Sequence, residues 1–170
     1  WYAQVPGVRV LPPARLEDAR YMLWSALQDP NPVLIFEHAA HYNDKGTLAP
    51  CPQGVNIDQA AIRRPGKDIT LITYGGCLNK TLAAADALSQ EGIDAEVIDL
   101  RVLRPLDTAT LVESLSRTHR AVVIEEAWKT GGMAAEVSAA LMEQAFWELD
   151  APIGRVASEE IPIPYAAHLE

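Results

Sequence analysis

Residues 69–107 read ITLITYGGCLNKTLAAADALSQEGIDAEVIDLRVLRPLD, and this stretch decides the fold. Ile69 to Thr73 is an unbroken β-prone apolar run, which predicts a strand. Tyr74-Gly75-Gly76-Cys77 then forms a turn. Leu78, Leu82, Ala85 and Leu88 recur at helical spacing and predict a helix over 78–91. Gly92 stops that helix, because glycine takes the left-handed backbone that ends a helix without a Cβ penalty. Ala95 to Asp99 is a second strand, and Arg101-Val-Leu-Arg-Pro-Leu-Asp107 turns the corner beyond it. Strand, helix and strand make one βαβ unit, with a right-handed crossover between parallel strands.

The alternation continues toward the C-terminus. A helix over 107–116 opens at Pro105 and Asp107, a strand covers 121–125, a longer helix 132–147, and a short strand 153–157. Toward the N-terminus, Val8–Leu11 reads as a strand stopped by Pro12-Pro13. Leu16, Ala19, Leu23, Ala26 and Leu27 give a helix over 16–28 one apolar stripe. Asp29-Pro30-Asn31-Pro32 ends it, since a residue before proline is pushed out of helical backbone. Val33–Phe36 reads as a strand buried on both faces. Residues 37–68 carry scattered His, Asn, Gly and Pro without periodicity, a long connection that marks a boundary. The expectation is an α/β protein, a mostly parallel sheet with helices on both faces, preceded by the end of a second α/β domain. Residues 1–60 are assigned to the first unit and its linker, and residues 61–170 to the second.

The 170 residues are 49% hydrophobic, enough for a buried core, and carry a formal net charge of −9. That charge repels phosphate backbones and anionic membrane surfaces, so neither nucleic acid nor membrane is expected as a partner. No apolar run approaches the roughly 18 residues of a spanning helix. Cys51 and Cys77 lack metal-knuckle or disulfide spacing, and a reducing cytoplasm is expected. The chain starts at Trp1 rather than Met and is read as a fragment.

The glycine turns are the first candidates for chemistry. Gly75-Gly76 before one helix and Gly131-Gly132 before another resemble anion cradles. Neither has the G-x-G-x-x-G or G-x-x-x-x-G-K-[ST] spacing, so both are read as turn-making glycine. A free-standing phosphate- or nucleotide-binding module at Gly75 and Gly76 is the competing reading. His38 and His41 share the boundary loop with Glu37 and Asp44, a weak metal or acid–base set without a third spaced ligand. His119, between Arg117 and Arg120, is read as a surface residue. Glu125-Glu126 ends a strand, where ligands bind in open parallel sheets, but bonding of nearby amides is the favoured role. Asp29 and Asn31, in a stiff turn after Ala26-Leu27, offer hard oxygen donors at the negative end of a helix dipole. Trp24, Trp128 and Trp147 leave a pure interaction module open.

Several pieces, taken in order, resemble the β subunit of thiamine-diphosphate-dependent 2-oxo acid dehydrogenases. They are Val5-Pro-Gly-Val-Arg-Val-Leu-Pro-Pro, Glu17-Asp18-Ala19, Asp29-Pro-Asn-Pro-Val, Phe36-Glu-His, Tyr42, Lys45-Gly46 and Ile98-Asp-Leu-Arg-Val-Leu-Arg-Pro-Leu-Asp. Leu149-Asp-Ala-Pro and Ile161-Pro-Ile-Pro-Tyr-Ala-Ala-His-Leu-Glu complete the set. The resemblance implies oxidative decarboxylation of a 2-oxo acid and acyl transfer to a lipoyl group. Pyruvate is the first choice of substrate, and the acetoin and branched-chain enzymes are the alternatives. It implies thiamine diphosphate and magnesium in the complete enzyme. The family's cofactor-binding and catalytic residues fall upstream of the residue matching Trp1, so no catalytic or cofactor-binding residue is assigned here. The second unit resembles the transketolase C-terminal domain and is expected to serve assembly. The partners implied are an α subunit, a second β subunit and the subunit-binding domain of the dihydrolipoyl acyltransferase. Ala26, Leu27, Asp29 and Asn31 match positions of a structural potassium ion, with Pro30 where the family more often has Asn. Asp150 matches an acidic residue that holds the acyltransferase.

Overall fold

In the computed structural model, residues 1–51 and 54–162 are described. Pro52, Gln53 and the closing residues 163–170, including His168, lie outside the described residues. The first unit holds strand β1 (Arg9–Leu11), helix α1 (Leu16–Ala26) and strand β2 (Val33–Ile35). β1 and β2 pair in parallel, Arg9 opposite Val33 and Leu11 opposite Ile35. The second unit runs β3 (Ala61–Arg64), β4 (Ile69–Thr73), α2 (Leu78–Gln90), β5 (Ala95–Asp99), α3 (Thr108–Thr118), β6 (Ala121–Trp128), α4 (Met133–Ala145) and β7 (Gly154–Ser158). Its sheet has the order β3-β5-β4-β6-β7, parallel except for β3, which runs antiparallel to β5. No helix among the described residues is long and apolar enough to cross a membrane.

Both faces of the central strands are covered. Leu71, Ala95 and Val97 pack with Leu78 and Ala85 of α2 on one face. Ile72, Ile98 and Val123 pack with Leu111, Leu115, Val137 and Leu141 of α3 and α4 on the other. A third cluster, Leu11, Met22, Ile57 and Val102, joins the first unit to the corner after β5. β4 and β5 match the sequence reading residue for residue. Gly92 has φ +83°, the left-handed turn expected at the end of α2.

Three expectations fail. The stripe on α1 is not its buried face: α1 buries Asp18 and Met22, while Leu23, Trp24 and Leu27 are exposed, Leu27 at 73%. The charged Asp18 fixes the rotation of α1, because its ionic partners lie in the second unit. β2 is half-buried along its length rather than buried on both faces, since β1 alone flanks it. The connection 37–68 is not structureless, for it contains a 3-10 turn over Ala39–Asn43 and the edge strand β3. Four residues with two arginines give no apolar alternation, and β3 is recruited by pairing with β5.

Candidate functional site

β4 feeds α2 toward β5 on one side, while β6 feeds α4 toward β7 on the other. The carboxyl ends of β4 and β6 therefore form the switch point of the sheet, the place where open α/β sheets hold ligands. Tyr74, Gly75, Gly76 and Cys77 follow β4, and Glu125 and Glu126 close β6. The crevice is furnished by the chain itself. Tyr74 Oη donates to Glu125 Oε2 at 2.8 Å, and the Ala134 amide donates to Glu125 Oε1 at 3.2 Å. The buried Glu125 thus caps the N-terminus of α4, where a carboxylate suits the helix dipole. A methyl carbon on Gly132 would lie 2.2 Å from Glu125 Oε1, so glycine is needed there to let the carboxylate in. Burial raises the Tyr74 hydroxyl pKa, and the charge of Glu125 adds to it. Burial and Glu126 push the Cys77 thiol up to about 11, so it is an inert thiol rather than a nucleophile.

The glycine turn after β4 is also filled. The His38 ring, from the boundary loop, lies over Gly76, and its Nε2 is 2.9 Å from Glu126 Oε2. Lys80 Nζ lies 3.6 Å from Glu126 Oε1. His41 sits 5.5 Å from His38, ring to ring, and bonds Asp44 at 2.9 Å. These histidines do not converge on an acid cluster, and no group of three metal-ligating residues forms among the described residues. His119 is a partly exposed left-handed C-cap of α3, with Nδ1 2.9 Å from the Glu148 carbonyl.

The Asp29 turn is well ordered by its own bonds. Asp29 Oδ1 accepts from the Asn31 amide at 2.8 Å and from Asn31 Nδ2 at 2.9 Å. Arg9 Nε lies 2.5 Å from Asp29 Oδ2. The Asn31 amide, with Arg9, holds the Asp29 carboxyl below its ordinary range. The Ala26 carbonyl accepts from the Asp29 amide at 3.2 Å. The four residues read from the sequence as a cation set are therefore adjacent, and a guanidinium already stands on their one carboxylate. Beside them opens a cleft of about 940 Å³ between the N-terminal segment, the corner after β5 and the start of α4, lined among others by Arg9, Asn31, Arg104 and Glu136.

Asp150 is exposed, with Oδ2 3.3 Å from Arg120 Nη2 and its amide donating to the His119 carbonyl. It borders a groove lined by Met142, Phe146, Leu149 and Pro152. Trp147, 92% exposed, meets Phe146 edge-on at 5.0 Å.

A buried ionic set escaped the sequence reading. Arg63 of β3 pairs with Asp18 of α1 and, at 2.8 Å, with Asp99 of β5; Arg101 Nε lies 3.2 Å from Asp18 Oδ1. Asp18 and Asp99 are 1% and 0% exposed. Burial raises Asp99's pKa, opposed by Arg63. Burial also works against the charge of Arg63, yet the two aspartates leave its pKa raised. The signal was present: Glu96 and Asp99 stand inside a strand otherwise apolar, and a charge there needs a partner.

The fold is a doubly wound α/β unit whose switch-point crevice is filled by its own side chains. The sequence profile of the family "Transketolase, C-terminal domain" matches residues 58–170, and the chain belongs to that family. Along its whole length it is 46% identical to the mitochondrial pyruvate dehydrogenase E1 component subunit beta of Drosophila melanogaster and 43% identical to that of Dictyostelium discoideum. It covers 48% and 49% of those chains. It is 40% identical to the subunit beta of Rhizobium meliloti, of which it covers 37%. The chain thus spans about half the length, or less, of these curated relatives. Among solved structures, a split-gene transketolase described as an inactive beta4 tetramer superposes with a TM-score of 0.78 at 27% identity, over 94% of this chain and 51% of that one. The cytoplasmic location expected from the sequence is not upheld, because relatives from Drosophila, Dictyostelium, Oryza and Arabidopsis carry mitochondrial names.

Proposed function

We propose that this chain is the assembly and docking portion of the β subunit of a pyruvate dehydrogenase-type decarboxylating component. The observation that carries the reading is full-length identity of 40–46% to E1 subunits beta from an insect, a slime mould and a bacterium. The whole protein oxidatively decarboxylates a 2-oxo acid, pyruvate first, and passes the acyl unit to a lipoyl group, with an α subunit and a second β subunit. Thiamine diphosphate and magnesium supply the decarboxylation chemistry there. In this chain the described residues do not fit that cofactor: the switch-point crevice holds His38 and Glu125, so no step is assigned to it.

Residues 1–60 are the end of the pyrimidine-binding domain with its linker, and residues 61–170 the assembly domain. The two-stranded β1–β2 pair and the exposed Leu23, Trp24 and Leu27 support that division, since so small a parallel sheet is not stable alone. Asp150 receives the basic subunit-binding domain of the acyltransferase, and the net charge of −9 favours that encounter. In the complete subunit, Asp150→Ala weakens acyltransferase binding while leaving decarboxylation with an artificial acceptor unchanged. Surface plasmon resonance against the subunit-binding domain tests this, and unchanged affinity overturns the role of Asp150.

A potassium ion held by Ala26, Leu27, Asp29 and Asn31 belongs to the same reading. Main-chain carbonyls at a helix C-terminus with carboxylate and amide oxygens are suitable hard donors. Arg9 competes for Asp29. Thermal unfolding in potassium chloride against sodium chloride at equal ionic strength is the check: a potassium-specific rise in Tm supports the site, and equal values remove it.

A further inference from the structure

We propose that the loop of residues 37–44 is a strap, latched by His38 into the switch-point crevice, that tethers the carboxyl end of β2 to the carboxyl ends of β4 and β6. The loop leaves β2 at Ile35, and His38 reaches the second sheet three residues later. His38 Nδ1 accepts from the Ala40 amide at 3.3 Å, so Nε2 carries the proton and donates to Glu126 Oε2 at 2.9 Å. The receiving side is rigid. The Glu126 carbonyl accepts from Ser158 Oγ of β7 at 2.6 Å, and Lys80 of α2 stands beside the carboxylate. The fit on Gly76 is steric: a methyl carbon there would lie 2.7 Å from His38 Cδ2 and 2.8 Å from Nε2. Gly76 is not a positive-φ glycine, so the ring and not the backbone is what requires glycine at this position.

The test is hydrogen–deuterium exchange of the backbone amides of residues 39–44 in the intact chain. His38→Ala speeds their exchange about tenfold, the effect of losing one hydrogen-bonded contact and its packing. Glu126→Ala, a partly exposed substitution, acts in the same direction. Gly76→Ala also speeds exchange, although it removes no polar group, because its methyl expels the ring. The double variant His38→Ala/Gly76→Ala exchanges no faster than His38→Ala alone, since the clash is gone. Unchanged exchange in His38→Ala and Glu126→Ala overturns the latch. So does a double variant whose effect is the product of the two single ones.

Discussion

Asp18, Arg63, Asp99 and Arg101 meet from α1, β3, β5 and the corner after it, and their charges balance one another. Removing one partner of a buried pair strands the rest. Asp99→Ala is therefore expected to cost about 3–5 kcal/mol, measured by urea unfolding. Asp99→Asn costs less, because it keeps an acceptor for the Arg101 amide. Asp29 has a lowered pKa in the folded chain. Its contribution is full above the unfolded value, about 3.9, and is lost as pH falls through the folded one. Asp29→Asn removes that dependence, so the difference in stability between wild type and variant shrinks on acidification below about pH 4. The sequence displayed every one of these residues, but not which would meet. Asp18 and Asp99 are 81 positions apart, and their common partner Arg63 sits on a strand that shows no strand pattern.

At the scale of elements, local signals decide the second unit and tertiary ones the first. β4, β5 and Gly92 could be read because their apolar residues and the helix-ending glycine obey local rules, with the buried charges Glu96 and Asp99 as the exceptions. Asp107 is another legible case: it opens α3, accepting from the Thr110 amide at 3.1 Å and hydroxyl at 2.6 Å. It also accepts from the Ala60 amide at 3.0 Å, which no local pattern announces. Asp107→Ala thus loses a cap and leaves the Ala60 amide unpaired, an expected cost of about 2 kcal/mol by thermal unfolding. α1 misled because periodicity marks an apolar stripe without saying which side the fold covers. The second arginine of the corner, Arg104, binds the Ala3 carbonyl at 3.0 Å, and Leu103 and Arg104 exchange backbone bonds with Val10. The Arg-Val-Leu-Arg-Pro-Leu-Asp corner is thus a clamp that fastens the first unit to the second.

At the scale of the whole molecule, the glycine turn, the paired glutamates and His38 gather at the carboxyl ends of β4 and β6, as ligand-binding residues do. They are spent on each other: His38 on Gly76 and Glu126, Glu125 on Tyr74 and the start of α4. Exposed residues lie elsewhere: Leu23, Trp24 and Leu27 on α1, and Phe146 and Trp147 beside Asp150, itself paired with Arg120. On the proposed reading, an acidic unit with a filled crevice and an exposed aromatic patch serves contact with proteins. The most direct measurement is an isothermal titration of thiamine diphosphate with magnesium into this chain. On the proposed reading no saturable binding heat is expected, because His38 and Glu125 fill the switch-point crevice. Micromolar affinity would contradict the account.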